Sequence, residues 1–256
     1  MAISKGNFVE VEYTGTLEDG TVFDTTDEKV AKEKGAFQES AEYGPIIICL
    51  GEGHILKGLE AKLEGKEAGE EYKFTLAPEE AFGKKDPKLI RLIAANKFTR
   101  EKITPQPGLE VSVDGVLGVV KTATGGRVMV DMNHPLSGKT VIYTIKPIRI
   151  VTDAKEKVAS ILKIRVGAKD AEISISEESC AIALKQKLPK EIENVVSEEI
   201  KRTVALKNVS FEEMKEKKEE AKGETKEEKT EKTEKPKEKA AEEHKEKPEK
   251  KHNHKE

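Results

Sequence analysis

Hydrophobic and polar positions divide the chain into four stretches. In the first, 1–83, Val9, Val11 and Tyr13 alternate with Glu10, Glu12 and Thr14, which predicts a strand with one buried face. Glu18-Asp19-Gly20 is a turn signal, and Thr21-Val22-Phe23 opens the return strand of a hairpin. The polar residues 25–44 predict a loop or a short surface helix. Residues 46–50 are continuously apolar and predict a further strand. Gly53-His54 then opens a short helix with Ile55, Leu56, Leu59 and Leu63 on one face, ended by Gly65. Tyr72, Phe74 and Leu76 alternate as another strand.

The second stretch, 84–133, predicts short strands at 89–93, 109–113, 116–121 and 128–130, and no helix of any length. Pro105 and Pro107 punctuate a connection, and Gly125-Gly126 joins the last two strands. The chain returns through Asn133-His134-Pro135-Leu136-Ser137-Gly138 into an alternating strand at 141–150. A strand so far from the first sheet's other members implies an insertion: residues 84–133 interrupt a domain made of 1–83 and 134–152. The third stretch, 154–211, reads as a small α+β module. It has a helix around Val158, Ile161 and Leu162, strands at 172–175 and 180–184, and a last strand near Val209 and Phe211. Pro189 starts a second helix carrying Ile192, Val195, Val196 and Ile200. The fourth, 212–256, is Lys and Glu in near balance; it cannot bury enough surface to offset ordering entropy and is expected to be disordered. A helix of Glu–Lys pairs up to Pro236 is the rival reading.

Composition agrees with small domains plus a solvated part. Charged residues make up 37% and aromatics only 4% of the 256 residues, which is thin for one large core. The net charge of -3 leaves no strong basic field, so nucleic acid is not an expected partner. The first residues lack the apolar stretch of a secretory signal, and no run approaches the roughly 18 apolar residues of a membrane span, so no membrane partner is expected. Cys49 and Cys180 lie far apart within apolar stretches. A disulfide is one reading; two buried thiols in a cytoplasmic protein is the expected one.

Tyr13-Thr-Gly-Thr-Leu-Glu-Asp-Gly-Thr-Val-Phe23-Asp24 resembles the opening hairpin of the FKBP family of prolyl isomerases. Leu50-Gly51, followed by Ile55-Leu56-Lys57-Gly58-Leu59-Glu60, resembles that family's pocket helix. Pro78-Glu79-Glu80-Ala81-Phe82-Gly83 resembles the loop after it. Each piece alone is common; in this order and spacing, over 6–83 and 134–150, they are specific. The interruption after Phe82-Gly83, resumed at Asn133-His134-Pro135-Leu136-Ser137-Gly138, resembles SlyD-type members with an insert-in-flap chaperone domain. The domain order, with a further α+β domain, resembles long-type archaeal FKBPs. The resemblance implies an α+β fold: an antiparallel sheet wrapped on a short helix, an inserted small β domain and a C-terminal α+β domain.

By the same resemblance, Tyr13, Asp24, Ile55, Phe82 and Tyr143 fall at catalytic positions. Phe23, Ile46, Leu56, Leu59 and Leu136 fall at substrate-binding positions. These types suit rotation of an X-Pro bond, which crosses a barrier of about 18–20 kcal/mol because twisting breaks amide resonance. The planar amide is more dipolar than the twisted one, so an apolar cleft favours the twisted state relative to water. No nucleophile, metal or cofactor is required. The backbone N–H at the start of the pocket helix can hold a substrate carbonyl, and Asp24 can accept from Tyr13. Taken singly, Phe23, Ile55, Leu56 and Leu59 are ordinary core residues; only the joint pattern points to a pocket. Phe82 stands where the family usually has Tyr, Leu59 where many have Trp and Ile46 where many have Phe. The floor is therefore expected to be wider and less aromatic, with modest activity on short peptides.

Within 84–133, Leu89, Ile90, Leu92, Ile93, Phe98 and the run Val116 to Val120 are candidates for a chaperone surface, or alternatively for that module's own core. The expected partners are unfolded or nascent polypeptides containing proline. The apolar faces of the 154–164 and 189–206 helices are expected to make contacts within one chain or across a homodimer. His244, His252 and His254 are sparse, so the tail is expected to be solvated rather than a metal site. His54 and His134 are expected to be structural turn residues. A non-catalytic holdase is the alternative to a catalytic chaperone.

Overall fold

The computed structural model describes residues 1–214; the expectations for 215–256, including the tail histidines, lie outside the described residues. The first sheet is antiparallel throughout. Strand β1 (Phe8–Leu17) is at its centre, flanked along its whole length by β9 (Val141–Val151). Its other edge is shared by β2 (Val22–Thr25) and β3 (Ile46–Cys49). Strand β4 (Tyr72–Leu76) closes the far side against β9. Between β2 and β3, Asp27 caps the short helix α1 (Glu28–Glu33) by accepting from the Lys29 and Val30 N–H groups.

Helix α2 (Lys57–Leu63) lies on one face of this sheet. Leu59 and Leu63 bury against Val9, Val11, Ile48, Leu76, Val141, Tyr143 and Ile145. The alternation of β1 and β9 sets these side chains on one face. The helix starts later than the sequence predicts: Leu56 is its N-cap, and Ile55 precedes it. Gly58 lets α2 press against the 3-10 turn Pro78–Glu80, since a Cβ there would stand 2.4 Å from the Glu80 carbonyl oxygen.

The inserted stretch forms its own four-stranded antiparallel sheet, ordered β5-β8-β7-β6: β5 (Ile90–Ala94), β6 (Glu110–Val113), β7 (Val116–Thr124) and β8 (Arg127–Asp131). Its core of Ile93, Phe98, Val111, Val120, Val128, Val130 and Met132 includes no residue of the first sheet. One expectation is corrected: a helix, α3 (Ala95–Arg100), follows β5. Its single large apolar residue, Phe98, is too little to show a helical period in the sequence. The neck of the insertion is a compact polar knot. Lys85 donates to Asp131 at 2.9 Å, and Asp131 also accepts from the Asn133 amide groups. Burial pushes the Asp131 carboxyl up, but Lys85 and Asn133 outweigh it and hold it at about 2.

The last stretch consists of α4 (Ala154–Val166), β10 (Glu172–Ser176), β11 (Ser179–Leu184), α5 (Lys190–Val204) and β12 (Asn208–Glu213). β11 pairs antiparallel with β10 and parallel with β12. The apolar face of α4 and part of that of α5 are covered within the chain: Val158, Ile161, Leu162, Val196 and Ile200 are buried, while Ile192 and Val195 of α5 stay exposed. The buried cluster continues into the first sheet through Phe8, Cys49 and Val151, so that end of the sheet is buried on both faces. Cys49 and Cys180 belong to this shared core as free, buried thiols. Burial pushes the Cys49 thiol up to about 12, which leaves it protonated and inert.

Candidate active site

The β1–β2 hairpin brings Tyr13, Phe23 and Asp24 together. The Tyr13 hydroxyl donates to an Asp24 carboxylate oxygen at 3.0 Å. Tyr143, across on β9, packs against Tyr13 with ring centroids 5.8 Å apart and meets Phe23 edge-on at 5.7 Å. Phe23 also meets Phe82 edge-on at 5.9 Å. Gly15 makes this approach feasible: a Cβ there would lie 2.6 Å from the Phe23 ring. Burial, with the nearby Asp24 carboxylate, pushes the hydroxyls of Tyr13 and Tyr143 up, so both stay protonated as donors.

A cleft of about 170 Å³ opens beside this group. Tyr13, Phe23, Asp24 and Ile46 line it among the residues expected from the sequence. Ile55, Leu56, Phe82 and Tyr143 pack around the same hydrophobic cluster without lining the cleft itself. Leu59 is covered entirely and supports the site from below. Leu136 is half-buried and outside the cluster; its N–H donates to His134, which stacks on Phe82 at 4.8 Å.

The far wall of the cleft was not legible as such. Ala36, Gln38, Ala41, Glu42 and Tyr43 form it, from the polar stretch 25–44 expected as a loop or a short surface helix. The available signal was a pair of aromatics in that loop: Phe37 stacks on Tyr43 at 5.5 Å, and the Gln38 N–H donates to the Tyr43 hydroxyl at 2.9 Å. A larger cleft of about 290 Å³, between 166–171 and 184–188, holds none of the candidate residues.

The candidate chaperone residues divide. Leu89, Ile90, Leu92 and Val116 are exposed, Leu92 to 57%. Ile93 and Phe98 are corrected to core residues. Ile93 follows Leu92 on β5 and so faces inward, and Phe98 projects from α3 into the sheet. The most exposed apolar side chain here, Leu117 at 73%, belongs to the candidate run 116–120, whereas Val120 of the same run is corrected to a core residue.

Comparisons with known proteins follow the same division. The family described as FKBP-type peptidyl-prolyl cis-trans isomerase matches residues 1–99, and the FKBP26 IF domain matches residues 91–136. A short-type peptidyl-prolyl cis-trans isomerase of Methanocaldococcus jannaschii is 37% identical over 144 residues, spanning 56% of this chain and 91% of the relative. The SlyD isomerase of Aeromonas hydrophila is 34% identical, over 59% of this chain and 67% of its own. A 16 kDa FKBP-type isomerase of Escherichia coli is 30% identical, over 58% and 94%. No helix of the described residues is long and apolar enough to cross a membrane. With relatives matched over nearly their whole length and the hairpin, helix and loop all in place, the chain belongs to the FKBP-type peptidyl-prolyl cis-trans isomerases.

Proposed function

We propose that X-Pro bonds rotate in the cleft beside Tyr13, Phe23, Asp24 and Ile46, and that the inserted sheet holds unfolded polypeptide next to it. The observation that carries the first part is the Tyr13–Asp24 hydrogen bond set among the rings of Phe23 and Tyr143. One polar pair in an aromatic wall can orient a carbonyl, while the apolar surround favours the less dipolar, twisted amide. The Ile55 N–H, on the turn before α2, has no backbone acceptor among the described residues and is a candidate to hold a substrate carbonyl. Phe82 brings no hydroxyl to the site; a missing hydrogen bond of that kind costs on the order of 1 kcal/mol, so activity on short peptides is modest.

The exposed Leu92 and Leu117, with Ile90 and Val116, support the second part. Leu92 and Ile90 lie on the edge strand β5, whose open side offers unpaired backbone groups. A client held there is at high effective concentration at the cleft. The test is removal of residues 84–132: catalysed refolding of a proline-limited protein is lost while peptide isomerisation persists. The isomerase names of the relatives favour this reading over a purely holding role.

In this reading the isomerase domain is 1–83 with 134–152, the client-binding domain is 84–133, and the α+β module begins at 154. The free, buried cysteines fit work in the cytoplasm. A homodimer through the last module would use Ile192 and Val195, the apolar residues α5 leaves exposed. Light scattering of the full chain is expected to give a dimer that Val195→Glu converts to a monomer; a monomeric full chain ends that proposal.

A further inference from the structure

The α+β module does more than share a core with the isomerase sheet. It grips both segments that border the candidate cleft. On one side, Glu42 of the cleft wall accepts from Lys163 at 2.8 Å and Lys169 at 2.6 Å. On the other side, the turn at 50–56, which delivers Ile55 and Leu56 to the site, is held by α4 and α5. The His54 side chain is fully enclosed and bonds to Glu199 at 2.7 Å. Its Nδ1 accepts from the Cys49 N–H at 2.9 Å, so Nε2 carries the proton and donates to the Glu199 carboxylate.

Glu199 is itself nearly buried, an unusual place for a carboxylate on an otherwise amphipathic helix. Arg165 supplies its countercharge, with Nε at 2.7 Å and Nη2 at 3.2 Å. Burial pushes the Glu199 carboxyl up, but Arg165 and His54 outweigh this and hold it below the ordinary range, so it stays an acceptor. The Nη2 of Arg165 also donates to the Glu52 carbonyl at 2.8 Å, and Arg202 pairs with the Glu52 carboxylate. Three groups of the module thus fix one seven-residue turn through its backbone, its histidine and its acid.

We propose that Glu199 is a positioning residue for the isomerase, fixing through His54 the turn that carries Ile55 and Leu56 to the cleft. This rests on the site assignment above. A buried carboxylate costs desolvation that an apolar residue at the same place would avoid. What Glu199 provides instead is directional: a hydrogen bond that sets the imidazole, and with it the backbone from Cys49 onward. The consequence is that the last module acts on catalysis without touching substrate.

The test uses the full chain and a short X-Pro peptide, reading kcat and KM separately. Glu199→Ala is expected to raise KM about fivefold with kcat within about twofold, the loss of one binding interaction held in both ground and transition states. Glu199→Gln keeps an oxygen facing His54 and is expected to stay within about twofold of the parent KM. A purely structural role would lower the folded fraction, reducing kcat with KM unchanged; that result, or an unaltered KM in folded Glu199→Ala, overturns the proposal. Should Glu199→Ala not fold, Glu199→Met keeps most of the side-chain volume but cannot accept from His54. It is expected to raise KM about fivefold, and no rise overturns the proposal. Asp24→Ala run in parallel separates the failures: unchanged kcat/KM there sinks the site assignment rather than the role of Glu199.

Discussion

Asp24→Ala should lower kcat/KM for a short X-Pro peptide by about tenfold, and Phe23→Ala by about thirtyfold. The first figure follows from one charge-assisted hydrogen bond, whose net value of about 1.5–3 kcal/mol corresponds to a factor of ten or more. Asp24 is exposed and bonds to Tyr13 at the mouth of the site, so its loss disturbs catalysis far more than folding. Phe23 is different in kind. Its ring meets both Tyr143 and Phe82 edge-on, and its removal opens the aromatic wall to water. Water then competes for the substrate carbonyl and removes the preference for the twisted amide. A thermal melt beside each assay separates lost chemistry from lost fold. Parent-like activity in both variants would place catalysis elsewhere.

Removing residues 84–132 should lower catalysis of a proline-limited refolding reaction by about a hundredfold, the scale set by losing a tethered second site. Peptide isomerisation by the same shortened chain should stay within about threefold of the parent. The geometry of the neck makes this a clean excision. The Gly138 N–H donates to the Gly83 carbonyl at 2.8 Å, and the Ser137 hydroxyl donates to the Phe82 carbonyl at 3.1 Å. The two ends are therefore already held together by the isomerase side. The module's core is its own, so cutting it away exposes no apolar surface of the first sheet. Equal losses in both assays would mean that the inserted sheet supports the cleft rather than the client.

Much of the fold could be read from the chain because period and punctuation agree. Val9, Val11 and Tyr13 alternate along β1, Glu18-Asp19-Gly20 turns the hairpin, and Gly125-Gly126 turns the one in the insertion. The unbroken apolar run at 46–49 fits a strand covered on both faces, with α2 on one side and α4 on the other. What could not be read depends on partners distant in sequence. Ile93 and Leu92 are chemically alike, and only the pairing of β5 with β8 decides which faces inward. Glu199 looks like any solvated glutamate on a charged helix; its partner His54 is 145 positions away. The cleft wall at 36–43 is polar in composition and is folded by a stacked aromatic pair that propensity does not register. The candidate residues came from resemblance, and the structure adds their spacing: Tyr13, Phe23, Asp24 and Tyr143 adjoin, while Leu136 stands apart.

The central claim is the location of substrate, and amide chemical-shift mapping tests it most directly. The isotopically labelled full chain would be titrated with a short, unlabelled X-Pro peptide. The account predicts the largest shifts at Tyr13, Asp24, Ile55 and Tyr143, with saturation at the KM of the catalysed reaction. Shifts confined to other surfaces, such as the cleft between 166–171 and 184–188, would contradict it.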